Sequence, residues 1–398
     1  MKKILIIGAG FLQDFVIQKA VSMGYETLAV DADPEAIGFK HAHKHAIVNI
    51  IDEKACLDYA RREQVDGVVT AATDFGVLSA SYVAQEMSLP GLKYDVAQLI
   101  KNKYRVRKCL YEAHVDDTEQ AYEINDNTNI DALAQKLTYP VMVKPCDGSG
   151  SRGASRVNNA NELPQACNYA MKGSITHRAE IESFIFGQEY GAESLVVDGE
   201  VHVLGIMKKW MTETPYYAEL GHAIPCGLSR ETEEKAKECV KKAITVLGIN
   251  FGSVNMDMLI TPDGKIYIVD IGARMGGNLI GSHIIQYGTG IDYMGAMIQN
   301  AVGDPVDLSV KDHTSVATKL LAFDSGVVRQ MPDMKAIEKK YDVEIYHHMA
   351  EGMKVNEYHT NLDGCGYIVA KGATAEVAEK KAKDALNAII MTCFIGRR

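Results

Sequence analysis

Nothing in the sequence pairs its cysteines. Eight stand at positions 56, 109, 146, 167, 226, 239, 365 and 393, with no CxxC spacing among them. That excludes a zinc-ribbon pattern and a disulfide framework, and the thiols read as reduced and mostly buried, as in a cytoplasmic protein. No apolar run reaches the roughly 18 residues that a membrane span needs, so no membrane partner is expected. Met1–Gly8 begins like a signal peptide, charged and then apolar, but breaks at Gly8 and Gly10 after too few residues. Positive charge is also short. A formal net charge of −10 argues against a broad nucleic-acid-binding face and leaves room only for a local basic pocket. There is no internal repeat, no low-complexity tract and no Ser/His/Asp set that suggests a covalent nucleophile.

What is present is an alternation of strands and helices. With 398 residues the chain is long for one core, and roughly two to four domains are expected. An apolar strand at 2–7, a helix from Phe11 to Met23 and a second strand at 26–30 form a βαβ unit of Rossmann type, which continues through 65–70 to about Leu99. A basic helix follows at 101–113, then strands at 140–145 and 154–157 around a glycine loop. Strands are expected at 180–186, 189–197 and 200–207, and helices at 230–247 and 279–300. Beyond 313, strand-like runs at 314–323 and 366–371 precede a helix at 373–391. The pattern is that of α/β and α+β domains around a cleft.

Three segments carry chemistry. The first is 255–278, where Thr261, Pro262, Asp263 and Gly264 make a turn between two strand-like runs. Asp257 and Asp270 then lie across from each other in apolar strands. Opposed like charges destabilise a sheet, and a divalent cation between them removes the penalty. Arg274 follows at the strand end, and carboxylates for a hard metal beside a guanidinium suit phosphoryl chemistry. The second is the loop Gly148, Ser149, Gly150, Ser151, Arg152 and Gly153, whose backbone N–H groups can wrap phosphate oxygens. Lys144 precedes it, and the spacing is not that of a Walker P-loop. The third is the run from Glu180 through Glu182, Phe184, Ile185 and Gly187 to Glu189 and Glu193, which can present backbone and carboxylates to a base and a ribose.

A fourth segment is weaker. Gly8 and Gly10 with Gln13 form a GxGxxG lacking its last glycine, and Asp31 stands about twenty residues on, where a ribose-binding acid would be in a dinucleotide site. It supports an alternative of another class, an NAD-dependent oxidoreductase. Lys209, Glu219, His222 and Arg230 are candidates for an acceptor pocket, with Glu219 for an ammonium group and His222 for its proton. Trp210, the only tryptophan, reads as packing. His41, His43 and His45 read as a polar face, and His347 with His348 makes no convincing metal site.

The order of Lys103, Lys144, the 148–153 loop, the 182–189 run and the Asp257/Asp270/Arg274 hairpin resembles the ATP-grasp superfamily, closest to its carboxylate–amine ligases. These include L-amino-acid ligases and carbamoyl-phosphate-synthase-like or biotin-carboxylase-like proteins. The resemblance implies a Rossmann-like pre-ATP-grasp domain over 1–99 and an ATP-grasp fold of two subdomains, 100–187 with the glycine flap and 188–312 with the metal hairpin. A small α+β region over 313–398 completes it. It also implies ATP with Mg²⁺, or Mn²⁺ in its place. Lys103 and Lys144 would meet the phosphates under Ser149, Gly150 and Ser151, with Arg152 at the flap tip. Glu182, Phe184 and Ile185 would hold adenine, and Glu189 the ribose. Asp257 and Asp270 would bind the metal, and Arg274 would stabilise the transferring phosphoryl group. The implied reaction joins a small carboxylate to an amine through an acyl phosphate. Bicarbonate-using chemistry is the alternative within the same fold, and a homodimer is the default assembly. The sequence departs from the family at Gly272, where an asparagine metal ligand is usual; water or Asn278 would have to replace it.

Overall fold

The computed structural model describes residues 1–118, 121–148, 150, 152–213 and 216–396, with Phe394 described by its backbone alone. Its N-terminal part is a parallel sheet in the order Lys44–Ile47, Glu26–Asp31, Lys3–Ile7, Gly67–Thr70. The inner strand Lys3–Ile7 is continuously apolar from Ile4 on, as expected where helices cover both faces of a parallel sheet. Helices Phe11–Ser22, Glu53–Glu63 and Val77–Glu86 supply that cover. Asp52 caps the second by accepting the Ala55 N–H at 3.0 Å.

A second, antiparallel sheet runs Ala121–Ile124, Ala179–Ser183, Val141–Pro145, Ser155–Val157, with the helix Leu163–Lys172 among its core neighbours. The helix Lys103–Glu112 leads into it, capped by Asn102 on the Arg105 N–H at 3.0 Å.

The third sheet has eight strands in the order Ile266–Gly272, Gly252–Ile260, Gln188–Val197, Glu200–Met211, Glu219–Ile224, Ser315–Leu320, Gly366–Gly372, Val343–His347. Every neighbouring pair in it is antiparallel. The strands expected in a separate C-terminal region therefore extend the sheet that carries the hairpin. Ala223 pairs with Ala317 and Ile224 with Val316 at the join, and Ala378 from the final helix Ala375–Thr392 packs over it.

One core joins the N-terminal domain, the eight-stranded sheet and the segment beyond the hairpin, while the second sheet packs on a core of its own. The first combines Val16 and Ile17 of the first helix, Leu195 and Met207 of the large sheet, Ile280 and Tyr293 beyond the hairpin, and Tyr367 of the C-terminal strands. Among the described residues no helix is long and apolar enough to cross a membrane. All eight cysteines are free.

Candidate active site

The turn residues do what their chemistry dictates. Thr261 and Lys265 close the hairpin with a 2.9 Å backbone bond, Gly264 takes a φ of +82°, and the strand register sets Asp257 opposite Asp270. A bulge after Asp257 re-aims the strand there. Both carboxylates line a cavity of about 1210 Å³ that runs between the three sheets.

Each aspartate already faces an ammonium group. Lys103 pairs with Asp270, and Lys209 lies 2.8 Å from Asp257. Lys209 is 1 % exposed and also meets Glu189 at 2.9 Å and Glu219 at 2.8 Å. Burial alone would lower its pKa; the three carboxylates outweigh that and hold it well above the ordinary value. Asp257 is pushed up to about 7, first by burial and then by Glu189 and Glu219, against the pull of Lys209. A site where three carboxylates share one lysine is short of positive charge. That donor chemistry fits a hard divalent cation held by Asp257 and Asp270 together with phosphate oxygens. Among the described residues no group of three or more acidic, histidine or cysteine side chains is so placed that it could by itself hold a metal ion.

Lys144 leaves its strand toward the same cavity. Its ammonium donates to Glu182 at 2.6 Å and to the Val269 carbonyl at 3.0 Å, with Glu180 3.7 Å away. Arg107, which the sequence reading missed, meets the other oxygen of Glu182 at 3.0 Å and Asp116 at 2.7 Å. Burial works to raise the pKa of Glu182, and Lys144 with Arg107 overcomes it and holds the carboxyl below its ordinary value. Glu182, expected at an adenine edge, is therefore first of all the shared acceptor of two cations. Lys103 and Arg107 stand four apart on one helix, so they share an inward face. That spacing was the available signal for Arg107.

The 183–189 segment lines the cavity with Phe184, Ile185 and Glu189. Phe184 and Phe186 form an edge-to-face pair at 4.9 Å, and the Arg156 guanidinium sits 4.6 Å and 5.0 Å from their rings. Glu189, expected at a ribose, is held by Lys209. From the flap, Gly148, Gly150 and Arg152 face the cavity, and Gly150 takes a φ of +65° that suits glycine. Ser149 and Ser151 lie outside the described residues. Arg152 reaches to 5.8 Å from the Phe75 ring, and Lys101, also missed, to 4.8 Å from it.

Arg274 ends the hairpin in a forked pair with Asp74 of the N-terminal domain, Nε to Oδ1 at 2.9 Å and Nη2 to Oδ2 at 3.1 Å. A Cβ at Gly272 would lie 2.9 Å from Asp74 Oδ1 and 3.1 Å from the Arg274 guanidinium carbon. The pair fills the space that a side chain at 272 would enter. Asn278 does not stand in as a metal ligand: its amide donates to Glu219 and accepts from Tyr367 at 2.9 Å.

Two further expectations are corrected. His222 does not line the cavity; it is 0 % exposed, neither ring nitrogen has a hydrogen-bond partner, and burial pushes its pKa down to about 4. Glu219, expected to await an ammonium group, already has Lys209, and its pKa is lowered to about 2 as that lysine and His222 overcome its burial. The glycine turn at 8–10 is closed by Gln13, whose amide donates to the Ala71 carbonyl at 2.7 Å. Asp31 accepts the backbone N–H groups of Ala9 at 2.8 Å and Asp33 at 3.0 Å, so both of its oxygens already hold the local backbone.

The chain is similar to known proteins over its whole length. Residues 137–282 match the ATP-grasp domain, and residues 319–392 match L-amino acid ligase C-terminal domain 2. A formate-dependent phosphoribosylglycinamide formyltransferase of Sulfurisphaera tokodaii is 22% identical, the match covering 98% of this chain and 97% of that one. The L-amino acid ligase of Bacillus licheniformis superposes with a TM-score of 0.86 at 23% identity, over 100% of this chain and 99% of that chain. The biotin carboxylase domain of Hydrogenobacter thermophilus 2-oxoglutarate carboxylase, solved as a dimer with MgADP and bicarbonate, superposes with a TM-score of 0.79 at 18% identity, over 99% of this chain and 90% of that chain. Its lysines and opposed aspartates thus lie around one cavity of a chain that contains an ATP-grasp domain and, on the same sheet, an L-amino acid ligase C-terminal domain.

Proposed function

We propose that this protein uses ATP to join the carboxylate of an amino acid or similar small acid to an amine, through an acyl phosphate, with release of ADP and phosphate. The observation that carries the reading is the convergence of Lys103, Lys144 and Arg274 with Asp257 and Asp270 on one cavity. That cavity is also lined by Asn361, Leu362 and Tyr367 of the C-terminal module.

The chemistry follows from the charges. Lys103, Lys144 and Arg274 are each paired with a carboxylate. A triphosphate entering the cleft offers these cations new partners. Mg²⁺ bound by Asp257 and Asp270 would supply charge neutralisation at the phosphates. Arg274, fixed at the hairpin end, stabilises the charge on the phosphoryl group as the substrate carboxylate attacks it. That attack forms a carboxyl-oxygen-to-phosphorus bond and breaks the bond to ADP. The amine then attacks the acyl carbon, the carbon–oxygen bond to phosphate breaks, and the amine loses a proton. Gly148, Gly150 and Arg152, which line the cavity, would help to keep water from the intermediate.

A screen of amino acids and small carboxylates for ATP-dependent phosphate release, with an amine present, tests the reading. Release that requires both an acid and an amine is the expected result. ADP formed with bicarbonate alone as the acid would move the protein to the carboxylase branch of the fold, and no release with any acid would end the ligase reading.

A further inference from the structure

Asp74 occupies an unusual position among the acids of the cavity. Glu182 has Lys144 and Arg107. Glu189 and Glu219 share Lys209. Asp147 accepts backbone N–H groups from Ile175 at 3.2 Å and Thr176 at 2.9 Å. Asp257 pairs with Lys209 and Asp270 with Lys103. Asp74 alone in this set has as its side-chain partner Arg274, the cation that the ligase reading assigns to the reacting groups.

The guanidinium presents one edge, Nε and Nη2, to Asp74, while Nη1 on its other side meets the Met275 carbonyl only at 3.5 Å. Arginine has five donors and a carboxylate about four acceptor sites, so each partner retains capacity for a further ligand. Side-chain exposures of 15 % for Arg274 and 21 % for Asp74, and their place in the cavity lining, make that capacity reachable. The field of Lys101 and Lys103 also acts on Asp74; a bound triphosphate offsets it.

Beyond this pair the wall turns apolar. A Cβ at Gly277 would lie 3.4 Å from Leu12 Cδ1 and 3.8 Å from the Ala72 Cβ, so the N-terminal domain and the loop after Arg274 meet there. Phe11 follows, stacked with Tyr367 at 6.4 Å and edge-on to His348 at 5.8 Å. Phe11, Leu12, Ala72 and Tyr367 line the cavity without charge.

We propose that Asp74 anchors the ammonium group of a zwitterionic α-amino acid whose carboxylate meets Arg274 and whose apolar side chain lies along Leu12, Phe11 and Tyr367. This rests on the ligase reading above. The two charged groups of an α-amino acid are one carbon apart, as an adjacent Asp/Arg pair requires, and the apolar wall is the continuation of the same face.

The test compares amino acids with their des-amino analogues, leucine against isocaproate and phenylalanine against hydrocinnamate. Hydroxylamine serves as the amine, so that activated acid is read as hydroxamate whatever the natural acceptor. Full-length protein with ATP and Mg²⁺ is expected to favour each amino acid by about 100-fold or more in kcat/KM, because a site built to bind a polar group rejects an analogue lacking it. Asp74→Asn is expected to erase most of that preference, lowering kcat/KM for the amino acids at least about ten-fold more than for the analogues. Equal use of both acids by the unaltered protein overturns the assignment without any variant. An equal fall for both acids in a folded Asp74→Asn protein also overturns it, because Asp74 would then act only by positioning Arg274. Hydroxamate from the des-amino acids alone refutes Asp74 as the anchor but leaves the ligase reading standing; no hydroxamate from any acid overturns both.

Discussion

The Cβ that Gly272 lacks would stand 2.9 Å from Oδ1 of Asp74, a residue of the N-terminal domain. The glycine that looks like a lost metal ligand is what lets Arg274 and Asp74 meet. Restoring the amide by Gly272→Asn therefore adds no useful ligand and displaces the pair. The expected outcome is a fall in kcat/KM of about ten-fold or more, equivalent to about 1.4 kcal/mol, with the melting temperature little changed. A gain in activity would mean that the metal site, not the ion pair, governs position 272.

Stability and catalysis separate between two of the charged groups. Asp270 is 38 % exposed in its side chain, so Asp270→Asn should alter stability by less than about 1 kcal/mol while lowering ADP release at least about 100-fold. Arg107 is deeply buried between Glu182 and Asp116, and Arg107→Leu leaves both carboxylates without it. Its expected cost is about 3–5 kcal/mol, measured by denaturant unfolding. Equal stability losses in the two variants would contradict this division.

Glu193 has a pH signature. It is 0 % exposed and accepts the Tyr293 hydroxyl at 2.8 Å, the Asn255 amide at 2.6 Å and the Gly276 N–H at 3.1 Å. Burial outweighs these bonds and pushes its pKa from 4.5 up to about 7. Between those values the folded state binds more protons than the unfolded one, so the stability from this group is full below about 4.5 and is lost as pH rises through about 7. Glu193→Gln should flatten the stability–pH curve in that window, with a difference from the unaltered protein of up to about 3 kcal/mol across it. Parallel curves for the two proteins would show that the carboxyl does not titrate there.

Much of the site could be read from local sequence. The turn at 261–264 and the period of its strands set Asp257 against Asp270, and the glycine loop after Lys144 has the composition of a phosphate cradle. What escaped was long-range. Asp74 and Arg274 come from different domains, and Arg107 finds its partners in Glu182, Asp116 and the hairpin backbone. No periodicity in one strand or helix reports such meetings. The same limit hid the eight-stranded sheet, whose central join pairs Ile224 with Val316 across nearly a hundred residues. His222 misled because a histidine in a polar stretch reads as a base for the proton of a substrate ammonium group, whereas the sheet buries its ring completely.

The most direct test of the ligase reading follows an atom. An acid that supports turnover is supplied with its carboxylate enriched in heavy oxygen, together with ATP and an amine, and the released phosphate is weighed by mass spectrometry. An acyl phosphate requires one carboxylate oxygen to leave with each phosphate, so labelled phosphate in step with product is the expected result. Product formed with unlabelled phosphate would contradict the mechanism at its central step.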